Sequence, residues 1–515
     1  MADSIPSESG LGRYWPRQAL GPQRLLATRP VGSNLLRLGV PRRVCMAPFG
    51  DFHQVRTGPA SPPLPTCPQK VAERSPSISV SAPKTRLLTV SAPIKGIRMT
   101  LEGIDLLDLD RFQRLEHYQM FDRLRAEDPV SWHEYPNAQG FWNVVKHKDL
   151  VGVNRDTGLF SSESGGISIL TPDEFPGEAQ GNDPRGLMML YMDPPKHTRY
   201  RLLVNKGFTP RMIGLIEKYL EHRAVLIVDN IIERGSCDFV VDVASELPLQ
   251  AIAEIMGVPQ EDRMKLFDWS NRMIGIDDPE FADADGAAAS GELFMYVNEL
   301  GKQRKADPRD DIVTKLINSE VEGDSLSELE FDMFMMLLTV AGNETTRNTT
   351  SWGMWALMQN PEQYAALAND IDGKLDVAIE EVLRWATPVY HFRRTALDDT
   401  IIGDKEIKKG DKVVMWHISA DRDEEVFDDP YQFNIERFPN EHIAFGGGGQ
   451  HFCLGANLAR MELKLIFREI MERIPDMRLA GDVEILRSNF IGGVKHMPVT
   501  YSAGARRNPA PLATA

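Results

Sequence analysis

The stretch Ala444–Arg460, AFGGGGQHFCLGANLAR, sets four glycines, His451 and Cys453 directly before a helix-like run. Glycine loses more backbone freedom on folding than any other residue, so four in succession ahead of one cysteine require a reason. A plain buried cysteine is the commonest fate of a lone one, but it leaves the glycines unexplained. Zinc fits poorly, because His442, His451 and Cys453 offer at most three nearby ligands without finger spacing. A phosphate loop is excluded, since no Gly-Lys-Ser/Thr follows the glycines. A thiolate metal ligand fits better. Cys453 leads into LGANLARMELKLIFREIMERI, and the first-turn N–H groups and positive dipole end of such a helix favour the thiolate. Glycines let the backbone run close under a large flat ligand and supply positive-φ positions that turn amides toward the sulfur.

Phe445, Gly446 to Gly449, His451, Cys453 and Gly455 resemble the signature of the cytochrome P450 family, the haem-thiolate monooxygenases. That signature is a Phe-Gly-rich loop, then His or Arg, one residue, Cys, one residue, Gly. Phe445 stands eight residues before the cysteine, one more than the commonest pattern. The longer loop resembles a bacterial subgroup that hydroxylates sterol side chains and methyl-branched lipids, and AGNETTRN, RWATPV and LRSNFIGGVKH are similar to that subgroup as well. The resemblance implies a mainly α fold with small β-sheets. Haem b would lie between a long central helix and the cysteine-ligand helix, with Cys453 as axial thiolate.

Further motifs follow the family's order. EEVLR holds Glu381 and Arg384 at i, i+3, on one helix face; alone this is an ordinary ion pair. By resemblance, Arg437 in FNIERF joins them in a buried triad behind the haem. DPPKHTRYR holds His197 and Arg201 at i, i+4, which is otherwise a basic helix face. The resemblance makes them, with Arg394 and His451, partners of the haem propionates; an anion suits Arg and protonated His. Arg393 and Arg394 are adjacent, and the choice of Arg394 follows the family. AGNETT, Ala341–Thr346, interrupts an apolar helical run, and a local kink or widening is expected there. One reading has the threonine hydroxyls bonded back to i−4 carbonyls. By resemblance, Gly342 instead makes room for O₂ while Glu344 and Thr345 form an acid–alcohol pair that relays protons.

The rest of the chain is consistent with a soluble enzyme. Its 515 residues carry a net charge of −16, which argues against nucleic acid as the main ligand. No uncharged apolar run reaches the length of a membrane span. Cys45, Cys67, Cys237 and Cys453 are far apart with no CxxC pair, so a disulfide framework is not expected and the cytoplasm is the simpler compartment. Residues 1–98 hold 14 Lys/Arg against 4 Asp/Glu with scattered prolines. They read as disordered or translated upstream sequence, with an organelle transit peptide as the alternative. The haem domain is expected at 99–503 and a disordered tail at 504–515.

No flavin or nicotinamide fingerprint is found, so electrons are expected from a ferredoxin and its reductase. Arg460, Lys464 and Arg468 are candidate docking cations, and a solvated helix face is the bland reading. The pocket is expected to be apolar, lined by parts of residues 162–190, by Met335, Leu338 and Ala341, by Val389 and Tyr390, and by Phe490 and Ile491. The expected reaction is insertion of one oxygen atom of O₂ into a terminal or near-terminal C–H bond of a steroid side chain or branched lipid. Terpenes, alkanes and other small lipophiles are the alternative substrates, and a non-catalytic haem sensor is the alternative class.

Overall fold

The computed structural model describes residues 103–508 except 137, 172–173, 175–182, 276, 282–284, 310 and 322. The expected extension at 1–98 lies outside the described residues. Among the described residues the chain is mainly helical, with one five-stranded sheet and several smaller ones. The helices that build the site are, in chain order, α1 (His147–Arg155), α2 (Lys196–Val204), α3 (Glu246–Met256), α4 (Glu328–Gln359), α5 (Ile371–Ala386) and α6 (Ala456–Arg473). The strands of the main sheet are β1 (Val130–His133), β2 (Phe141–Val144), β3 (Phe160–Ser161), β4 (His391–Ala396) and β5 (Lys412–Trp416). They lie in the order β1-β2-β5-β4-β3, with β2 parallel to β5 and the other pairs antiparallel.

Local sequence explains much of this. Residues 140–156 form strand β2 running into helix α1. Thr400–Ile402 and Lys405–Ile407 pair as a two-stranded hairpin, and the following strand, β5, joins the main sheet. α4 starts at a capping box: the Ser327 hydroxyl accepts from the Glu330 N–H while the Glu330 carboxylate accepts from the Ser327 N–H. It runs 32 residues without interruption, about 48 Å at 1.5 Å per residue, and stops before Pro361. The widening expected at Ala341–Thr346 does not form, and those residues are α-helical throughout. Four of its hydroxyls are satisfied within the helix, each donating to the carbonyl four residues back: Thr345 to Ala341 at 2.8 Å, Thr349 to Thr345 at 2.7 Å, Thr350 to Thr346 at 2.8 Å and Ser351 to Arg347 at 2.9 Å.

The main core packs α3, α4, α5 and α6 through residues such as Ile252, Leu357, Val382 and Phe467. A second core, under the sheet, centres on Phe112, Phe121, Tyr390 and Trp416. The start of the expected tail is docked on the main body. The Gly504 N–H donates to the Ile232 carbonyl at 2.9 Å. The Arg507 and Asn508 N–H groups both donate to the Asp229 carboxylate at 2.8 Å, and Arg473 also pairs with that carboxylate.

Candidate active site

The four glycines answer the question raised by the sequence. Gly446, Gly447, Gly448 and Gly449 have φ of 96°, 62°, 92° and 79°, the left-handed region that side chains disfavour. This path closes the longer loop so that the Cys453 N–H still donates to the Phe445 carbonyl at 3.0 Å. The end of α1 clamps the loop from outside. The Asn154 amide donates to the Gly446 carbonyl and, at 2.9 Å, to the Gly448 carbonyl. Arg155 donates to the Gly447 carbonyl at 3.1 Å.

Cys453 lies two residues before Gly455, the N-cap of α6. Its side chain opens into the cavity, yet the surrounding protein is dense enough that burial raises the thiol pKa, opposed by the Gly455 N–H and the charges of Arg201 and Arg460. The helix end alone therefore does not secure the thiolate expected from sequence. Coordination to a cation does, because a bound metal deprotonates a thiol outright.

One cavity brings together most of the sequence-derived residues. Cys453, Phe445, Gly446 and His451 line it from the cysteine loop, and His197 and Arg201 from α2. Arg394 lines it from β4, and Gly342 and Thr345 from α4. Strand alternation decides between the two adjacent arginines. Arg394 faces the cavity, whereas Arg393 turns away to the Thr395 hydroxyl at 2.8 Å and the Ser168 carbonyl at 3.3 Å. Of the residues expected in the apolar wall, Met189, Leu190, Leu338, Ala341 and Val389 line the cavity. Met335 packs in the main core. Tyr390 alternates into the sheet-side core. Phe490 packs on His391 and Phe392, and Ile491 bridges Val389.

Two expectations on α4 change. Glu344 is not in this cavity wall. Its carboxylate pairs with Arg347 and lines a second cavity with Asn271, Glu280, Lys495 and His496, and burial raises its pKa despite Arg347. The acid and the alcohol are neighbours in sequence and so face different sides of the helix. Gly342 also has a packing reason: a Cβ there would lie 2.4 Å from Ile252 Cδ1 of α3. Each of the three candidate docking cations is met by an acid of α5. Arg460 pairs with Glu380 at 2.6 Å, Lys464 with Asp376 at 2.7 Å and Arg468 with Asp372 at 2.8 Å. Four-residue spacing on α5 matches four-residue spacing on α6.

The polar end of the cavity is short of anions. Neither Arg201 nor Arg394 forms an ion pair with a carboxylate among the described residues, and burial lowers the pKa of both, Arg394 to about 10. The Arg394 Nε and both ring nitrogens of His197 have no hydrogen-bond partner. Burial and the neighbouring arginines bring His197 down to about 4 and His451 to about 2, so both rings are neutral until an anion arrives. Their ring centres lie 4.3 Å apart. A flat, dicarboxylate-bearing group with a central cation fits this donor set. The guanidinium and imidazole groups meet its carboxylates, Cys453 meets the cation, and the apolar walls meet its faces. Haem b has that chemistry.

Behind the loop, Glu381 and Arg384 form a bidentate pair with two bonds of 2.7 Å, and both side chains are 0 % exposed. Arg437 Nε adds a bond to Glu381 at 3.1 Å. Residues not singled out by sequence also contribute. Asn154 accepts from Arg394 at 3.0 Å while holding the loop. Ser162 lies 3.1 Å from His451 Nε2. Glu462, on α6, lines the cavity with an unpartnered carboxylate oxygen. An Asn-Arg pair at a helix end reads as a cap; only the tertiary contact reveals a clamp.

The cytochrome P450 family model matches residues 236–474. The steroid C26-monooxygenase of Mycolicibacterium smegmatis is 45% identical over 389 residues, covering 74% of this chain and 90% of that protein. The methyl-branched lipid omega-hydroxylase of Mycobacterium tuberculosis is 38% identical over 423 residues, covering 80% and 96%. The structure of a Mycobacterium marinum cytochrome P450 in complex with pseudoionone matches with a TM-score of 0.69 at 38% identity, covering 75% of this chain and 95% of that one. Similarity of this extent, on a chain whose cysteine loop and cation-rimmed cavity fit haem b, makes the protein a member of the cytochrome P450 family and a haem-thiolate monooxygenase.

Proposed function

We propose that the protein hydroxylates a terminal or near-terminal carbon of a steroid side chain or methyl-branched lipid in the cytoplasm, with electrons from a ferredoxin and its reductase. The observation that carries this reading is the pair of relatives named for those two reactions, each matched over most of both chains. The catalytic domain is placed at 99–503, with the docked residues to 508 as its edge.

Haem supplies O₂ binding and oxidising power when bound. The chain supplies the rest. Cys453 Sγ would ligate the haem iron, and Phe445, in the same loop, lies under the guanidinium of Arg460, 4.5 Å from the ring centre. Arg201, Arg394, His197 and His451 would hold the two carboxylates. The apolar wall at Leu338, Ala341 and Val389 orients a lipophilic chain and excludes water. Thr345 Oγ1–H donates into the cavity after leaving the Ala341 carbonyl. Glu344, which faces the second cavity beside Arg347, would first take up a proton from water there and then pass it to Thr345.

A reduced CO difference spectrum should be of thiolate type in the wild type and absent in Cys453→Ala. Spectral titration with cholestenone, a phytanate-like acid, a linear alkane and pseudoionone then tests the substrate. No shift from any sterol or branched lipid overturns that part. Thr345→Ala should consume O₂ with product formation cut by about 10-fold or more. Thiolate-type CO binding with no product, given a competent ferredoxin and every lipid tested, would favour a haem sensor.

A further inference from the structure

The polar end of the cavity holds one more imidazole than the site described so far. His417 starts the short helix His417–Ala420 directly after β5. It is 3% exposed and lines the same cavity as Arg394, His451 and Cys453. Neither of its ring nitrogens has a hydrogen-bond partner. A neutral imidazole carries one N–H donor and one acceptor, and buried polar atoms in folded proteins are nearly always paired. An orphaned donor in a cavity wall therefore marks a partner that is not part of the chain.

The surroundings say what that partner is. Phe392 packs edge-on to the ring, with centres 5.9 Å apart. The Met415 carbonyl lies close enough to act on the ring and oppose the effect of burial, yet neither ring nitrogen meets it with the distance and angle of a hydrogen bond. Burial and the positive charge of Arg394 bring the ring down to about 3, so it is neutral and keeps an N–H to give. His117 is a useful contrast. Its ring nitrogens are orphaned too, but it is stacked flat on Phe112 at 4.7 Å inside the aromatic packing under the sheet, where apolar contact accounts for it.

We propose that His417 donates a ring N–H to the haem carboxylate held by Arg394, and is a further cofactor-anchoring residue. The proposal rests on the haem reading of the cavity. It assigns to β5 and the turn after it a part in cofactor retention, alongside α2, β4 and the cysteine loop.

Transfer of haem from holoprotein to excess apomyoglobin, followed in the Soret band, tests it. His417→Phe keeps an aromatic ring and removes the donor, and should lose haem about fivefold faster than wild type, the equivalent of one hydrogen bond. His417→Gln restores a donor and should stay within about twofold of wild type. The apoprotein of His417→Phe should unfold at or above the wild-type midpoint, because it buries no orphaned nitrogen. Should His417→Phe fail to fold, His417→Leu replaces it in the same assay. Wild-type haem retention in the donor-less variant overturns the proposal, and so does a Gln variant as leaky as the Phe or Leu variant, which would make the role one of packing. A shift confined to substrate binding overturns it as well. Arg394→Leu separates this failure from a failure of the cavity reading. If Arg394→Leu leaks haem and His417→Phe does not, only the His417 assignment falls. If neither leaks, the carboxylates do not lie at this end, and both fall.

Discussion

Two buried clusters of arginine sit on either side of the cysteine loop, and they are built in opposite ways. Behind the loop, the Glu381 carboxylate accepts from Arg384, Arg437, the Asn434 N–H and the Asn440 amide. The free ends of the two guanidiniums reach the carbonyls of Asp421, Pro430, Asp428 and Gln432. That cluster is complete within the chain. At the cavity rim, Arg394 finds only the Arg393 carbonyl and Asn154, Arg201 finds the Gln450 carbonyl at 3.2 Å, and the imidazoles beside them are largely unpaired. A buried charge is tolerated when paired and hydrogen-bonded, and is costly otherwise. The first cluster therefore supports the fold, while the second holds unmet demand that a dianionic cofactor satisfies.

The largest expected effect breaks the complete cluster. Glu381→Ala leaves two buried guanidiniums without their carboxylate and should cost about 3–5 kcal/mol, read as a lower denaturant midpoint and as protein that purifies without haem. Arg394→Leu should act with the opposite sign on the apoprotein. Removing an uncompensated buried cation should leave its midpoint unchanged or raised, while haem loss accelerates by about 10-fold or more, since hydrogen bonds to charged groups are worth about 1.5–3 kcal/mol. An Arg394→Leu apoprotein destabilised as strongly as Glu381→Ala would erase the distinction between the clusters.

The smallest effect sharpens the comparison with a third group at the surface side of α5. Burial alone would raise the pKa of Glu380, but hydrogen bonds from Arg460 and His442 outweigh it and bring the carboxyl from its ordinary 4.5 down to about 2. The folded value lies below the unfolded one, so this stabilisation is present above about pH 5 and lost as pH falls toward 2. Glu380→Gln should flatten the acid limb of stability against pH. The loss near neutrality should be no more than about 1 kcal/mol, because the pair is partly solvated.

How much of this was readable beforehand differs residue by residue. The Glu381–Arg384 spacing places both charges on one helix face, and the Gly446–Gly449 run demands positive φ; both follow from local geometry. Arg437 and Arg394 needed the family resemblance. Asn154 was hidden, because its partners Gly446, Gly448 and Arg394 lie 292, 294 and 240 residues away. His417 was hidden as well, because only the pairing of β5 with β4 brings it to the cavity that Arg394 lines. Glu344 and Thr345 stand side by side in AGNETT, yet they open to different cavities, since a neighbour in sequence is turned about 100° around a helix. The partners of Arg460, Lys464 and Arg468 were not readable, because the acids that meet them belong to another helix.

By itself the amino-acid order determined what is set by short range: the loop that delivers Cys453, the capped start of the long helix, and the paired charges one turn apart. Backbone sterics and hydrogen bonding act over a few residues, so those features are written locally. Only the tertiary structure decided which cations were already neutralised and which were left waiting. That depends on which distant segments pack together, and burial then makes each missing partner count.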